Sequence, residues 1–238
     1  MKVEIWSDVV CPWCYVGKRR FEAALAQFPH RDEVEVEWKA FELDPTADSA
    51  PAGELPAEGE YATRLAAKYG TDVASAQGMV DSMTATAATE GLDFHFETAV
   101  RANTVDAHQV IHLAGERGLQ DAVKERLLQA YFAEGEAVGD RETLVRLAAE
   151  AGLSAGEVRE VLDDQRYAGA VRADEAEAAA IGIRGVPFFV IDRTYGVNGA
   201  QPADVLLQAL QRAWAERSPL IAVDGGGAGV CGPDGCAV

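Results

Sequence analysis

The chain opens with alternation. From Lys2 to Ser7 (KVEIWS) polar and apolar residues take turns as in a short strand, and Val16, Phe21, Leu25 and Phe28 then recur at helical spacing. Val34 to Lys39 (VEVEWK) alternates again, with Val34, Val36 and Trp38 against Glu35, Glu37 and Lys39, which predicts a half-buried strand. The opening is therefore β, α, β. If the two strands pair in parallel, the crossover is right-handed and the helix lies on one face of their shared sheet. Asp44 to Glu60 holds Pro45, Pro51, Pro56, Gly53 and Gly59, a surface loop at which the sheet stops.

From Tyr61 to Ile181 the periodicity is almost wholly helical and rich in alanine. Gly70, Gly91, Gly118, Gly139 and Gly152 read as helix ends. The expected helices are Tyr61 to Tyr69, Asp72 to Glu90, Thr104 to Arg117, Leu119 to Glu134, Arg141 to Ala151, Ala155 to Asp163 and Arg166 to Ile181. Between them only Leu92 to Phe96 looks extended, and no repeat period links the helices. Strand character returns at Val186 to Ile191, turns through Asp192 to Thr194 and resumes at Tyr195 to Asn198, before a helix from Pro202 to Glu216. The simplest fold is α/β, a βαβ…ββα sheet domain split by a large helical insertion. Its segments are residues 1–45, the insertion with its entry loop at 46–181, residues 182–217, and a tail at 218–238.

Charge narrows the partners. The 238 residues carry 39 acidic against 21 basic side chains, a formal charge of −18, which argues against nucleic acid and against an anionic membrane surface. No apolar run approaches the ~20 residues of a membrane span, and the first strand starts at Lys2 with no leader pattern before it. A cytoplasmic location is expected. In a reducing compartment four cysteines spaced as CxxC and CxxxxC suggest catalysis or metal binding before structural bridges.

The first pair carries the chemistry. Cys11, Pro12, Trp13 and Cys14 lie where the first strand hands over to the first helix. Pro12 suits the first helical position, since its missing N–H would be unpaired there, and this leaves Cys11 at the N-cap. A thiol at an N-cap faces unsatisfied backbone N–H groups and the positive end of the helix dipole, both of which favour the thiolate that attacks disulfides. Cys14, one turn on, can close a disulfide with Cys11 by attacking the mixed intermediate. Cys11 is thus the expected nucleophile and Cys14 the resolving thiol.

With this CPWC helix start and a Gly-Val-Pro-Phe-Phe-Val strand far downstream, the chain resembles the DsbA branch of the thioredoxin superfamily, and within it the FrnE-like oxidoreductases. The resembling segments are Ser7 to Gly17 (SDVVCPWCYVG), Phe41 to Pro45 (FELDP), Asn103 to His108 (NTVDAH), Gly185 to Val190 (GVPFFV) and Gly199 to Pro202 (GAQP). The resemblance implies a thioredoxin fold with an inserted helical domain and dithiol–disulfide exchange on thiol or disulfide protein substrates, with glutathione a further candidate. It implies no metal and no organic cofactor. It also implies that Val186-Pro187 is cis and faces the cysteines, so that Val186, Pro187 and Trp13 form a substrate-binding edge. Trp13 stands where the DsbA pattern has His, and an indole supplies no positive charge, which implies a less oxidising couple than in His-bearing relatives. Asn103 or Thr104 would cap a helix, and His108 would either reach the cysteines or, the favoured reading, tie the insertion to the sheet. Lys18, Arg19 and Arg20 read as a solvated helix face.

Two other functions fit parts of the pattern. Kappa-class glutathione transferases and hydroxychromene-carboxylate isomerases look similar around SDxxxPW, but they generally carry Ser where this chain has Cys11. Four cysteines could also hold structural zinc in a non-catalytic protein. In the tail, Asp224 to Gly229 reads as a flexible linker, and Gly232 to Gly235 (GPDG) suits a β-turn. A turn brings its flanks to about 4.5 to 5.5 Å, within disulfide range, so Cys231 and Cys236 can bond to each other as an accessory redox pair. FrnE-like proteins with a second CxxxxC pair support that reading.

Overall fold

The computed structural model describes residues 1–217. The Cys231 and Cys236 expectations lie outside the described residues. The element order is β1 (Lys2–Ser7), α1 (Pro12–Gln27), β2 (Glu35–Ala40), α2 (Glu60–Tyr69), α3 (Val73–Thr89), α4 (Val105–Glu116), α5 (Gln120–Ala133), α6 (Arg141–Glu150), α7 (Ala155–Asp163), α8 (Ala168–Ala180), β3 (Phe188–Ile191), β4 (Tyr195–Asn198) and α9 (Ala203–Ala215). The strands form one sheet in the order β2-β1-β3-β4. β1 runs parallel to β2, with Ile5 opposite Trp38, and antiparallel to β3, with Ile5 opposite Phe189. This is the βαβ…ββα arrangement with the helical run between its halves.

The alternation in β1 assigns the two faces. Val3 and Ile5 point into the core shared with Phe21 of α1, Phe189 of β3 and Leu206 and Leu210 of α9. Trp6 points the other way, against Ala178 of α8, Ile183 and Val190. The first of these clusters does not stop at the sheet. It continues through Val110, Leu113, Leu127, Phe132 and Leu147, so the inserted helices and the strands bury their apolar faces in one continuous core.

The docking of α5 on the sheet edge matters most for the site. As an edge strand, β2 leaves main-chain groups that need partners. The Gln120 side chain supplies them: its Oε1 accepts from Trp38 N at 2.8 Å and its Nε2 donates to Trp38 O at 3.0 Å. Next to it, Asp121 accepts the Trp38 indole N–H at 3.0 Å. One side chain thus does the work of a neighbouring strand and fixes the start of α5 against β2.

Some boundaries differ from the sequence reading. Leu92 to Phe96 is no strand: Leu92, Phe94 and Phe96 are buried alternately, but the segment packs into the core, with His95 N donating to Phe132 O at 2.7 Å. Period-two burial there reflects core packing without a strand partner. β3 starts at Phe188, after Pro187, which has no N–H for a ladder. Gly139 ends no helix. It precedes the Asp140 N-cap of α6, and a Cβ on it would lie 2.3 Å from Ser49 Oγ, so its role is close approach.

Candidate active site

α1 begins at Pro12, and Cys11 is its N-cap in extended conformation (φ −95°, ψ 110°). Cys14 N donates to Cys11 O at 3.0 Å, which folds the pair into the first turn. Both thiols are free and buried, Cys11 3% and Cys14 0% exposed. The Val186–Pro187 peptide is cis, and the Cys11 thiol donates to Val186 O at 3.6 Å. Two distant segments, after β1 and before β3, therefore meet at one sulfur.

Gly17 makes that meeting sterically allowed. A Cβ there would lie 2.8 Å from Pro187 Cγ, which explains a glycine inside a helix where it lowers helix propensity by about 1 kcal/mol relative to Ala. Cys11 and Val186 open onto a groove of about 1440 Å³ between the loops that follow β1 and β2 and precede β3, on one side, and the α2–α3 pair on the other. Small-molecule pockets usually span about 300 to 1,000 Å³; this one has room for a polypeptide segment. Trp13, Tyr69 and Met79 line it and are 46%, 63% and 45% exposed, giving its mouth an apolar character. Of the three residues read as a substrate edge, Trp13 and Val186 line the groove with Cys11, whereas Pro187 packs against Gly17 and is not among the lining residues.

Behind the cysteines sits a set of buried ionisable groups. Asp8 Oδ2 accepts from Leu43 N at 2.8 Å, and its Oδ1 lies 3.4 Å from His108 Nε2, both side chains being 1% exposed. Burial pushes the Asp8 carboxyl up, but His108, the Leu43 N–H and Lys124 outweigh it and leave Asp8 below the usual aspartate range. His108 thus joins α4 to the turn that carries the cysteines. Asn103 is elsewhere: its Oδ1 accepts from Val105 N at 3.1 Å and its Nδ2 donates to Pro45 O at 3.2 Å, so it fastens the entry loop to the start of α4. The N-cap residue itself is Thr104, without a side-chain cap bond.

Lys124 of α5 was not foreseen. It is 1% exposed and lies over the Trp38 ring, 5.6 Å from the centroid. Burial pulls its pKa down to about 8, against the opposing pull of Cys14, Asp8 and Cys11. For Cys14, burial and the adjacent Cys11 push the thiol well up, and Lys124 works in the other direction. The missed signal was periodic: Lys124 shares the buried stripe of Leu127, Leu128 and Tyr131. A lysine in such a stripe is inside the protein.

The solvated reading of Lys18, Arg19 and Arg20 is corrected. Lys18 is 2% exposed and pairs with Asp121 at 3.2 Å and Glu125 at 3.0 Å as well as with Glu22. Arg19 pairs with Glu125, and Arg20 reaches Glu90 at 2.6 Å and Ala200 O at 2.7 Å. These residues clamp α1 to α5, to the end of α3 and to the loop before α9.

Among the described residues no three or more His, Cys, Asp or Glu side chains cluster as a metal site. A family model, the DSBA-like thioredoxin domain, matches residues 2–211. The chain belongs to that family. It is 31% identical over 215 residues to the uncharacterised protein YwbO of Bacillus subtilis (strain 168), covering 87% of this chain and 94% of YwbO. A solved structure described as a "probable DsbA oxidoreductase" from Streptomyces coelicolor is 52% identical, with a TM-score of 0.84 and coverage of 100% of this chain and 99% of that one. The cytosolic disulfide reductase DsbM of Pseudomonas aeruginosa, solved with GSH, shares the fold at 19% identity and a TM-score of 0.60, over 90% of this chain and all of the other. The fold and its inserted helices are thus those of a DSBA-like thioredoxin domain, and no helix among the described residues is long and apolar enough to cross a membrane.

Proposed function

We propose that the protein is a thiol–disulfide oxidoreductase or isomerase acting on polypeptide substrates, with Cys11 as the attacking thiolate, Cys14 as the resolving thiol, and Cys231 and Cys236 as an accessory pair. The observation that carries this reading is the free dithiol at the start of α1, whose first sulfur touches Val186 O beside the cis Pro187 at the floor of an open groove. Exchange needs a nucleophilic sulfur within reach of substrate and a second sulfur that is shielded from it. Cys11 lines the groove and Cys14 does not. Val186, the residue before Pro187, offers main chain to an extended substrate, and Trp13 an apolar contact at the mouth.

The accessory role of the tail is supported by chain length. Trp214 stacks on His30, with ring centroids 4.1 Å apart, so the last described residues sit at the far end of α1 from Cys11. A helix of this length spans about 24 Å, whereas the 13 residues 218–230 have a contour of about 43 to 47 Å.

The test is turnover of insulin disulfides and of an oxidised, scrambled protein, with and without glutathione, by wild type, Cys11→Ser and the Cys231→Ser, Cys236→Ser double variant. Exchange by wild type, none by Cys11→Ser and altered rates in the double variant are expected. Conjugation or isomerisation that requires glutathione, with no disulfide turnover, would instead favour a glutathione-dependent transferase or isomerase.

A further inference from the structure

Cations are scarce in this chain, and nearly all are paired. Of its 21 lysines and arginines, set against 39 acids, only Lys68, Lys124 and Arg184 have no carboxylate within 4.0 Å among the described residues. Lys124 is buried over Trp38, but Lys68 and Arg184 are exposed, and both line the groove at Cys11. They stand on facing walls: Lys68 in the last turn of α2, beside Tyr69, and Arg184 in the loop before β3. Arg184 precedes Val186 by two residues, at most about 7 Å of chain, and Val186 O is the group that accepts the Cys11 thiol. Arg64 and Arg101 also line the groove, both held by Glu60. The exposed carboxylates of the lining are Asp44 and Asp48, on the loop after β2, whereas Asp8 and Glu42 are buried and Glu42 is paired with Arg172. The groove therefore reverses the balance of the whole: four cations meet two exposed carboxylates, on a chain of formal charge −18. So acidic a chain offers carboxylates almost everywhere. Two unpaired cations at one groove mark a place left for an anion from outside.

We propose that Lys68 and Arg184 are specificity-determining residues that bind carboxylates of the substrate, so that the groove prefers a polypeptide segment with Asp or Glu within a few residues of its reactive cysteine. This rests on the thiol–disulfide reading above. Arg184 is placed for a side chain close to the substrate sulfur, and its planar guanidinium holds a carboxylate through two parallel N–H donors, whereas Lys68 offers a point charge from the opposite wall. Glutathione also carries carboxylates. The groove, at about 1440 Å³, exceeds the usual small-molecule range of about 300 to 1,000 Å³ and adds exposed Trp13, Tyr69 and Met79, so its occupant is a polypeptide segment. The acidic remainder of the protein does not cancel the effect, because at physiological ionic strength fields decay over about 8 Å and an anion in the groove responds to its walls. One exposed ion pair changes affinity up to about fivefold, and two together change it about tenfold.

The experiment uses matched peptides with one internal disulfide, carrying Asp, Asn or Lys at the positions that flank the cysteines. Wild type turns over the Asp peptide with kcat/KM about tenfold above the Asn peptide, mostly through KM, and the ratio falls below about twofold when salt is raised from about 50 to about 500 mM. Arg184→Gln and Lys68→Gln each lower the ratio about threefold, the double variant brings it to about one, and Arg184→Glu turns the preference toward the Lys peptide. Arg159→Gln makes the same charge change on α7, outside the groove, and leaves the ratio at its wild-type value. A ratio near one in wild type, or one that the double variant does not lower, would overturn the proposal, as would a dependence on Lys68 and Arg184 seen with glutathione disulfide and not with peptides. Binding gives the same answer without chemistry: by fluorescence anisotropy, an Asp peptide with Ser in place of its cysteines binds Cys11→Ser protein about tenfold more tightly than its Asn counterpart, and adding Lys68→Gln and Arg184→Gln removes the difference. Should wild type turn over no disulfide at all, the functional reading falls, and this titration still decides the role of the two cations.

Discussion

Two buried clusters join the inserted helices to the sheet, and they are built on opposite plans. At the first, Asp174 of α8 accepts from Lys39 Nζ at 2.9 Å and Ala40 N at 2.9 Å, lies 3.0 Å from His112 Nε2, and its main-chain oxygen takes the Trp6 indole N–H at 3.0 Å. Both carboxylate oxygens accept N–H bonds and a cation faces the anion, although His112 Nε2, like His108 Nε2 at the second cluster, makes no aligned hydrogen bond. At the second, behind Cys11 and Cys14, Asp8 Oδ1 and His108 Nε2 approach to 3.4 Å without an aligned hydrogen bond, and Lys124 has no carboxylate. The first cluster is closed and serves as a joint. The second is open, with no carboxylate in contact with Lys124, and the groups that act on its charge are Cys14, Asp8 and Cys11.

The largest expected effect is at the open cluster's edge. Cys11→Ser should abolish disulfide exchange while leaving thermal melting within a few degrees of wild type, because Ser is a good N-cap and the dithiol is not bonded in the fold. Residual insulin reduction by this variant would assign the attacking sulfur elsewhere.

Stability should then separate the clusters by sign. Asp174→Asn removes the anion from a satisfied pair and should cost about 3 kcal/mol near neutral pH, read from urea midpoints. Burial raises the Asp174 carboxyl, but His112, the Ala40 N–H and Lys39 outweigh it and hold it below the ordinary range. The folded state therefore keeps this carboxylate ionised while the unfolded chain takes up protons, so its contribution is present above about pH 4 and fades as pH falls through the folded value. Wild type and Asp174→Asn should converge in acid. Lys124→Met should act oppositely, gaining on the order of 1 kcal/mol at pH 7 by removing an unpaired buried charge. Since the Lys124 pKa is pulled down to about 8, the unfolded chain binds the extra proton between pH 8 and 10.5, wild-type stability rises across that window, and the gap should narrow. Destabilisation by Lys124→Met at pH 7 would show that its charge is paired and the cluster closed after all.

Gly17→Ala should come next. The added methyl meets Pro187 Cγ at 2.8 Å, and overpacking of this kind costs about 1 to 3 kcal/mol, partly offset by a helix-propensity gain of up to about 1 kcal/mol. Exchange should fall more than stability, because the displaced element is the loop whose carbonyl touches Cys11. Equal melting and equal turnover would mean that the loop yields freely.

What could be read from the sequence follows the range of the interactions involved. β1, α1 and β2 were legible because alternation, Pro12 and helical spacing are local, and the CPWC position followed from them. Pro187 opposite Cys11 came from family resemblance, since nothing local brings residue 187 to residue 11. Lys18 to Arg20 were misread because, apart from Glu22, their partners Glu90, Asp121 and Glu125 are 70 or more residues away, and a basic run with one local acid reads as an ordinary solvated face. Lys124 was hidden by the habit of placing charged residues of an amphipathic helix outside, although the buried stripe around it pointed inward. The open cluster was thus the less legible of the two at the site, being assembled from β1, α1, α4 and α5.

The smallest effect expected is at the groove mouth, and it tests whether the open cluster serves polypeptides. Trp13 is 46% exposed, close to Cys11, and shares the groove with Tyr69 and Met79. It is the second residue of α1, after Pro12, and its side chain is half exposed, so Trp13→Ala should leave the helix start, the buried groups and melting nearly unchanged. Covering its exposed face with an apolar substrate segment would contribute about 1 to 1.4 kcal/mol, a five- to tenfold change in affinity. For a protein disulfide such as insulin, KM should therefore rise about that much with kcat little altered, whereas a small disulfide that does not reach Trp13 should be turned over as by wild type. Equal losses for large and small disulfides would make Trp13 a determinant of Cys11 reactivity instead of substrate contact, and would move the indole from the groove to the chemistry of the pair.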